Sequence, residues 1–144
     1  MALRLIPAIH RVTHQIGLFL DRATDLQVTQ AEAHILAHLG EHGASTVADL
    51  HRALAHKRST LTSVLDRLTA RALVTRDVSD RDRRSFVIAL TSDGKRLARR
   101  VLKGLESVEA VALAGNVSAV AEFQALLARL EAAAGPKDGG DRDD

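Results

Sequence analysis

Two helix-start signals of the same form, Thr29-Gln-Ala-Glu32 and Thr46-Val-Ala-Asp49, fix where two helices begin. In each, a Thr hydroxyl satisfies an orphan backbone N–H, and an acidic side chain three residues later satisfies another. Ile35, Leu36 and Leu39 follow the first signal in helical phase, and Gly40 and Gly43 mark its stop. The second signal opens a short helix with Val47, Leu50 and Leu54 on its inner face. After Ala55 to Lys57, the stretch Arg58 to Ala72 puts Leu61, Val64, Leu65 and Leu68 on one side. At about 100° per residue, Ser59, Ser63 and Asp66 point away from that stripe, with Thr62 and Arg67 on its flanks. Two short helices joined by a tight connection, the second with a small-polar and basic outer face, have the form of a helix-turn-helix.

Leu73-Val-Thr-Arg76 and Phe86-Val-Ile-Ala-Leu90 are rich in β-branched and aromatic residues and bracket the polar run Asp77 to Ser85. That pattern predicts a β-hairpin whose long tip alternates three Asp with three Arg, the carboxylates holding the guanidinium forks in fixed directions. Upstream, Leu5, Ile9, Val12, Ile16 and Phe19 recur at spacings of three and four, predicting a helix over roughly residues 3–24 with Pro7 in its first turns. Downstream, Thr91-Ser-Asp-Gly94 caps a helix with Leu97, Val101, Leu105 and Val108 in stripe, and Lys95, Arg96, Arg99, Arg100 and Lys103 exposed. Ala114 to Asn116 breaks it, and Val120, Phe123, Leu127 and Leu130 mark a last helix ending near Gly135-Pro136. Lys137 to Asp144 is a Gly/Asp-rich tail that cannot bury a core and is expected to be disordered. The fold class is mainly α with a small β-hairpin.

Composition agrees and narrows the function. At 144 residues and 46% hydrophobic, the chain suits one domain, and with aromatics at 2% the core must be aliphatic, which favours helices. No cysteine is present, which excludes disulfides, thiolate catalysis and a cysteine redox switch. No run of about 18 apolar residues could cross a bilayer and no leader pattern is visible, so a cytoplasmic protein with no membrane partner is expected. Charge is unevenly spread: fourteen Lys/Arg against five Asp give residues 51–103 a net +9, while residues 1–50 carry −2 and residues 104–144 carry −5. A basic middle between acidic ends is an electrostatic footprint for a polyanion.

The run Leu73-Val-Thr-Arg76, Asp82-Arg83-Arg84 and Val87-Ile-Ala-Leu-Thr-Ser-Asp-Gly94 resembles the wing, and its exit into a long helix, of the MarR family of bacterial transcriptional regulators. The resemblance extends to about residue 133, with two departures: Ala72 stands where the family usually has Gly, and Asp80 where a proline is common. It implies residues 1–136 as a single domain, with 1–28 and 95–135 as dimerisation helices and 29–94 as a winged-helix DNA-binding lobe. It further implies a homodimer on a pseudo-palindromic duplex operator, acting as a repressor and released by a small aromatic or phenolic ligand. Arg58, Ser59, Thr60, Thr62, Ser63 and Arg67 would lie along the major groove. Arg81, Arg83 and Arg84 would form a minor-groove wing, with Asp82 as their orienting partner. His10, Arg11 and His14 are eligible for the effector site, which relatives place near the junction of the dimerisation helices and the lobe.

Seven histidines include His34, His38 and His42, spaced by four, a spacing at which two rings can share an ion. His34-Ile-Leu-Ala-His38 has no acidic residue between its histidines to serve as a general base, and there is no Cys to help ligate. No metal or other cofactor is therefore expected. No catalytic triad, paired-carboxylate cleft or Gly-rich phosphate loop is visible, so the chain is not expected to be an enzyme. A metal-sensing regulator of the same fold using those histidines, and a winged-helix protein-interaction module, are the alternatives. A histidine at a dimer interface could also make DNA binding pH-dependent.

Overall fold

The computed structural model describes residues 2–22 and 27–135; the expected disordered tail at 137–144, and Pro136, lie outside the described residues. The elements run α1 (Ile6–Arg22), α2 (Gln30–His42), β1 (Ser45–Thr46), α3 (Val47–Leu54), α4 (Arg58–Ala70), β2 (Val74–Val78), β3 (Phe86–Leu90), α5 (Ser92–Leu113) and α6 (Ala119–Ala134). Two compact units are formed, residues up to Glu106 and residues from Ser107 onward.

Both capping boxes form. The Glu32 amide donates to Thr29 Oγ1 at 3.3 Å and the Thr29 amide donates to Glu32 Oε2 at 2.9 Å. At α3 the Asp49 amide donates to Thr46 Oγ1 at 3.1 Å and the Thr46 amide to Asp49 Oδ2 at 3.3 Å. The Thr46 hydroxyl, then its amide and then Arg52 hold the Asp49 carboxyl below the usual carboxylate range.

Three strands form an antiparallel sheet in the order β1-β3-β2, one more than the expected hairpin. The extra strand is two residues long, pairing Ser45 with Ile88 and Thr46 with Val87, too short to carry an alternating pattern. Thr46 serves both roles because an N-cap residue is already extended, here at φ −71° and ψ 158°. β2 also continues beyond Arg76 to Val78, which pairs with Phe86, so the hairpin tip shortens to residues 79–85.

The first unit has one aliphatic core. Leu61, Val64, Leu65 and Leu68 of α4 are buried together with Ile35, Leu36 and Leu39 of α2, Leu50 of α3 and Ile88 of β3. At about 1.5–3 kcal/mol for each large aliphatic side chain, this burial is what fixes α4 to the body and turns its other face outward. α6, in the second unit, has no buried residue, and its Phe123 is 56% exposed. On α1, Val12 of the predicted stripe is likewise 58% exposed.

The joint between α4, the hairpin and α5 is closely built. α4 ends with the Leu73 amide donating to Leu68 O at 3.0 Å and the Ala72 amide to Thr69 O at 2.9 Å, with Ala72 at φ +54°. This is the left-handed helix end at which glycine is the usual residue, and here alanine bears the strain. Thr91 returns to the same place: its amide donates to Leu73 O at 3.1 Å and its hydroxyl to Ala72 O at 2.7 Å. The Gly94 amide donates to Thr91 Oγ1 at 3.0 Å, and a Cβ on Gly94 would collide with the Leu73 carbonyl.

Candidate nucleic-acid interface

Packing of the Leu61, Val64, Leu65 and Leu68 stripe leaves Arg58, Ser59, Thr60, Thr62, Ser63 and Arg67 exposed on α4. No side chain caps the start of α4, where Lys57 is the N-cap residue. Its first-turn N–H groups therefore lack a side-chain acceptor, which suits an anion at that end of the helix.

The wing is shaped by backbone hydrogen bonds. The Ser79 amide donates to Ser85 O at 2.9 Å and the Ser85 amide to Asp82 O at 2.9 Å, closing the tip. Ser79, buried, accepts at Oγ from the amides of Arg81 and Asp82 at 3.3 and 3.4 Å. Asp82 Oδ1 accepts from the Arg84 amide at 2.9 Å. The sequence pattern predicts that this carboxylate steers guanidinium forks; in the structure it bonds the main chain instead, since an Asp two residues before a free N–H closes a tight local turn. Among the described residues, no ion pair or hydrogen bond occupies the guanidinium groups of Arg81, Arg83 or Arg84.

A groove of about 660 Å³ joins helix and wing, bordered by Arg58 and Thr62 of α4, Arg84 of the wing, His51 and Arg52 of α3, and Arg76 of β2. Arg58, Thr62 and Arg84 are residues the sequence pattern predicts for the interface; His51, Arg52 and Arg76 are additions that the fold supplies. Arg76 lies over the Phe86 ring, 4.6 Å from its centroid, and its NH1 is 3.5 Å from Asp66 Oδ1 on α4. Ladder register carried that signal, because Arg76 pairs with Ile88 and so sits diagonal to Phe86 on one face of the sheet.

Arg67 is differently employed from its neighbours. Its Nε lies 3.1 Å from Oε1 of the buried Glu32, and its NH1 donates to Ser63 Oγ at 3.0 Å. Arg71 NH1 reaches Glu32 Oε2 at 3.4 Å. The guanidinium is thus paired within the protein.

The histidines do not converge. His38 and His42 stack with ring centroids 4.4 Å apart, and His42 Nδ1 lies 3.1 Å from His38 O. Partial burial, and then the nearby His56, lower the pKa of His34; burial and His42 lower that of His38. Among the described residues, no three His, Asp or Glu side chains are arranged to hold an ion. A second cavity, about 470 Å³, lies between α2, β3 and α5, with Leu39, Gly40, Ala98 and Leu102 as apolar lining and Lys95 and Arg99 as cations. His10, Arg11 and His14, exposed on α1, line neither cavity.

The MarR family model matches residues 26–85, from the approach to α2 through the wing tip. The transcriptional regulator PecS of Dickeya dadantii is 32% identical over 126 residues, covering 81% of this chain and 76% of PecS. The chain belongs to the MarR family. Its fold is the family's winged helix: the DNA complex of Staphylococcus aureus MepR superposes with a TM-score of 0.77 over 92% of this chain and 99% of that one, at 19% identity. Bordetella bronchiseptica BpsR, whose DNA binding is regulated by 6-hydroxynicotinic acid, superposes with a TM-score of 0.69 over 89% and 99% at 24% identity. At these identities the likeness concerns the fold. The chain spans 62% and 54% of the length of the first two curated relatives it matches, both named as transcriptional repressors.

Proposed function

We propose that this chain is a DNA-binding transcriptional repressor that acts as a homodimer on a pseudo-palindromic duplex site. One observation carries the reading: the outer face of α4, through Arg58 and Thr62, and the wing, through Arg84, border a single cationic groove. A rod that fits the major groove and a finger that fits the minor groove thereby open toward the same polyanion, in the part of the chain that carries a net +9. Arg58, Ser59, Thr60, Thr62 and Ser63 are the major-groove candidates and Arg81, Arg83 and Arg84 the minor-groove ones. Arg52 and Arg76 join them as phosphate contacts. The MepR–DNA complex supports this use of the shared fold.

Dimerisation would account for exposed apolar residues on α1, α5 and α6: Val12, Val111 and Phe123 are each more than half exposed, and a symmetric second copy could bury them. For release from DNA, the cavity between α2, β3 and α5 suits a small aromatic anion, its ring against Leu39, Ala98 and Leu102 and its charge against Lys95 or Arg99. The regulation of BpsR by 6-hydroxynicotinic acid supports that ligand class.

The test is selection of bound duplexes from a random pool, followed by anisotropy titration. A palindromic consensus is expected, with affinity falling by orders of magnitude over a few-fold rise in salt. Arg84→Ala is expected to weaken binding more than about tenfold while leaving the circular dichroism spectrum intact. Unchanged affinity of that variant at fixed salt, or recovery of no enriched sequence, refutes the reading.

A further inference from the structure

Glu32 is the one charged residue that is buried among the described residues, at 3% exposure. Capping α2 requires only its bond with the Thr29 amide at 2.9 Å. The contacts with Arg67 at 3.1 Å and Arg71 at 3.4 Å go beyond that need; Arg67 lies in the last turn of α4 and Arg71 is its C-cap residue. A buried carboxylate held by three donors has little freedom to move, because each lost partner leaves charge desolvated without compensation. With the core stripe of α4 setting the rotation of the helix, Glu32 fixes the direction in which the Arg67 side chain lies.

That direction has a consequence one turn earlier on α4. With Nε committed to Glu32, Arg67 gives NH1 to Ser63 Oγ at 3.0 Å. A serine hydroxyl has one proton and two lone pairs, and here a charged donor fills one of the lone pairs. Among the described residues, the Ser63 hydroxyl makes no other hydrogen bond, so its proton is uncommitted. Thr69 shows the contrast: its hydroxyl turns back onto Leu65 O at 2.8 Å and has nothing to offer outward. Accepting from a guanidinium also makes the Ser63 O–H the stronger donor, because linked hydrogen bonds polarise one another.

We propose that Glu32 is a positioning residue of the DNA-reading face, acting through Arg67 to present Ser63 as a hydrogen-bond donor to an acceptor on the duplex. This rests on the reading that α4 meets DNA. Arg67, expected from sequence as a groove contact, is the middle of this relay and does not itself touch the duplex. Ser63 then favours positions offering a phosphate oxygen or an acceptor on a base edge.

The experiment is a double-mutant cycle on DNA affinity, using the full chain and the duplex selected by the wild-type protein. Glu32→Gln and Ser63→Ala are each expected to weaken binding by about tenfold, the worth of one charge-linked hydrogen bond. Glu32→Gln/Ser63→Ala is also expected to weaken it by only about tenfold, because both changes break one relay; independent roles would multiply to about 100-fold. Arg67→Gln replaces Glu32→Gln in the cycle if the buried change disrupts the circular dichroism spectrum. Arg67→Gln also separates the relay from direct contact: it leaves the salt slope unchanged, whereas loss of a phosphate contact would reduce it by about 0.9. Multiplicative singles, unaffected singles or a reduced slope overturn the relay while leaving DNA binding standing. Failure of the wild-type protein to select any duplex removes both.

Discussion

Gly94→Ala adds one methyl group at the joint between the wing and α5. The new Cβ would stand 3.0 Å from the Leu73 carbonyl carbon and 3.2 Å from Leu90 Cδ2, and still further inside contact with the Leu73 oxygen. Ordinary carbon contacts lie at roughly 3.5–4.0 Å, so backbone must move. That carbonyl is not free to retreat, since it accepts from the Thr91 amide at 3.1 Å and from the Thr91 hydroxyl at 3.2 Å. Overpacking strain of about 1–3 kcal/mol and about 1 kcal/mol for each weakened hydrogen bond oppose a helix-propensity gain of at most about 1 kcal/mol. The net is a loss of about 2–4 kcal/mol, or roughly 10 °C in melting temperature for a chain of this size. Melting should be followed by circular dichroism at one protein concentration, since the proposed dimerisation would make the midpoint concentration-dependent. Gly40→Ala is the control: its nearest neighbour is the flexible end of Leu102 at 3.0 Å, and a shift of no more than about 3 °C is expected. A Gly94→Ala midpoint within about 2 °C of wild type would show that the joint yields, and would refute the argument.

Ala72→Gly should raise stability by about 0.5–1 kcal/mol, because φ +54° strains an L side chain; an unchanged or lower melting midpoint contradicts this. His34 has a lowered pKa from burial and then His56, so the unfolded chain binds the proton more readily. Its contribution to stability is complete above the ordinary histidine pKa of about 6.5 and is lost as pH falls through that value toward the lower folded one. Melting midpoints should therefore drop between pH 7.5 and pH 5, and less steeply in His34→Gln; parallel profiles would exclude His34 as a source. If the proposed dimer uses the exposed face of α6, the wild-type mass by light scattering is that of two chains and Phe123→Asp shifts it toward one; a wild-type mass of one chain, or a two-chain mass that Phe123→Asp leaves unchanged, refutes that use of α6.

What the sequence reveals follows the range of the interaction. The boxes at Thr29 and Thr46 are legible because donor and acceptor are three residues apart, and the α4 stripe because Leu61 through Leu68 repeat within two turns. Arg67 looks like its exposed neighbours in sequence, since its partner Glu32 lies 35 residues away and already has a local role as a cap. Gly94 reads only as part of a helix start, although the reason for a glycine there is the Leu73 carbonyl brought back across the hairpin. β1 escapes notice because two residues have no period, and Arg76 because its role depends on the register that sets Phe86 diagonally opposite.

These long-range contacts share one consequence: α4 and the wing are tied to each other and to α5 at defined points. Arg76 links the hairpin to α4 through Asp66, and Thr91 links the start of α5 to the turn that ends α4. The smaller cavity touches this frame from the other side, where Ala89 and Leu90 of β3 face Lys95, Ala98 and Arg99 of α5. An occupant there does nothing to DNA affinity by binding tightly; it must bind one setting of β3 against α5 more tightly than another. Moving the population from one setting to the other at ratios of 99:1 needs a difference of about 10⁴-fold in affinity between them. A single ion pair with Lys95 or Arg99 at the surface falls well short of that, being worth about 1 kcal/mol or less. The apolar contact with Leu39, Ala98 and Leu102 must therefore also differ between the two settings, which makes the packing of α2 against α5, and not the cations alone, the element on which release would turn.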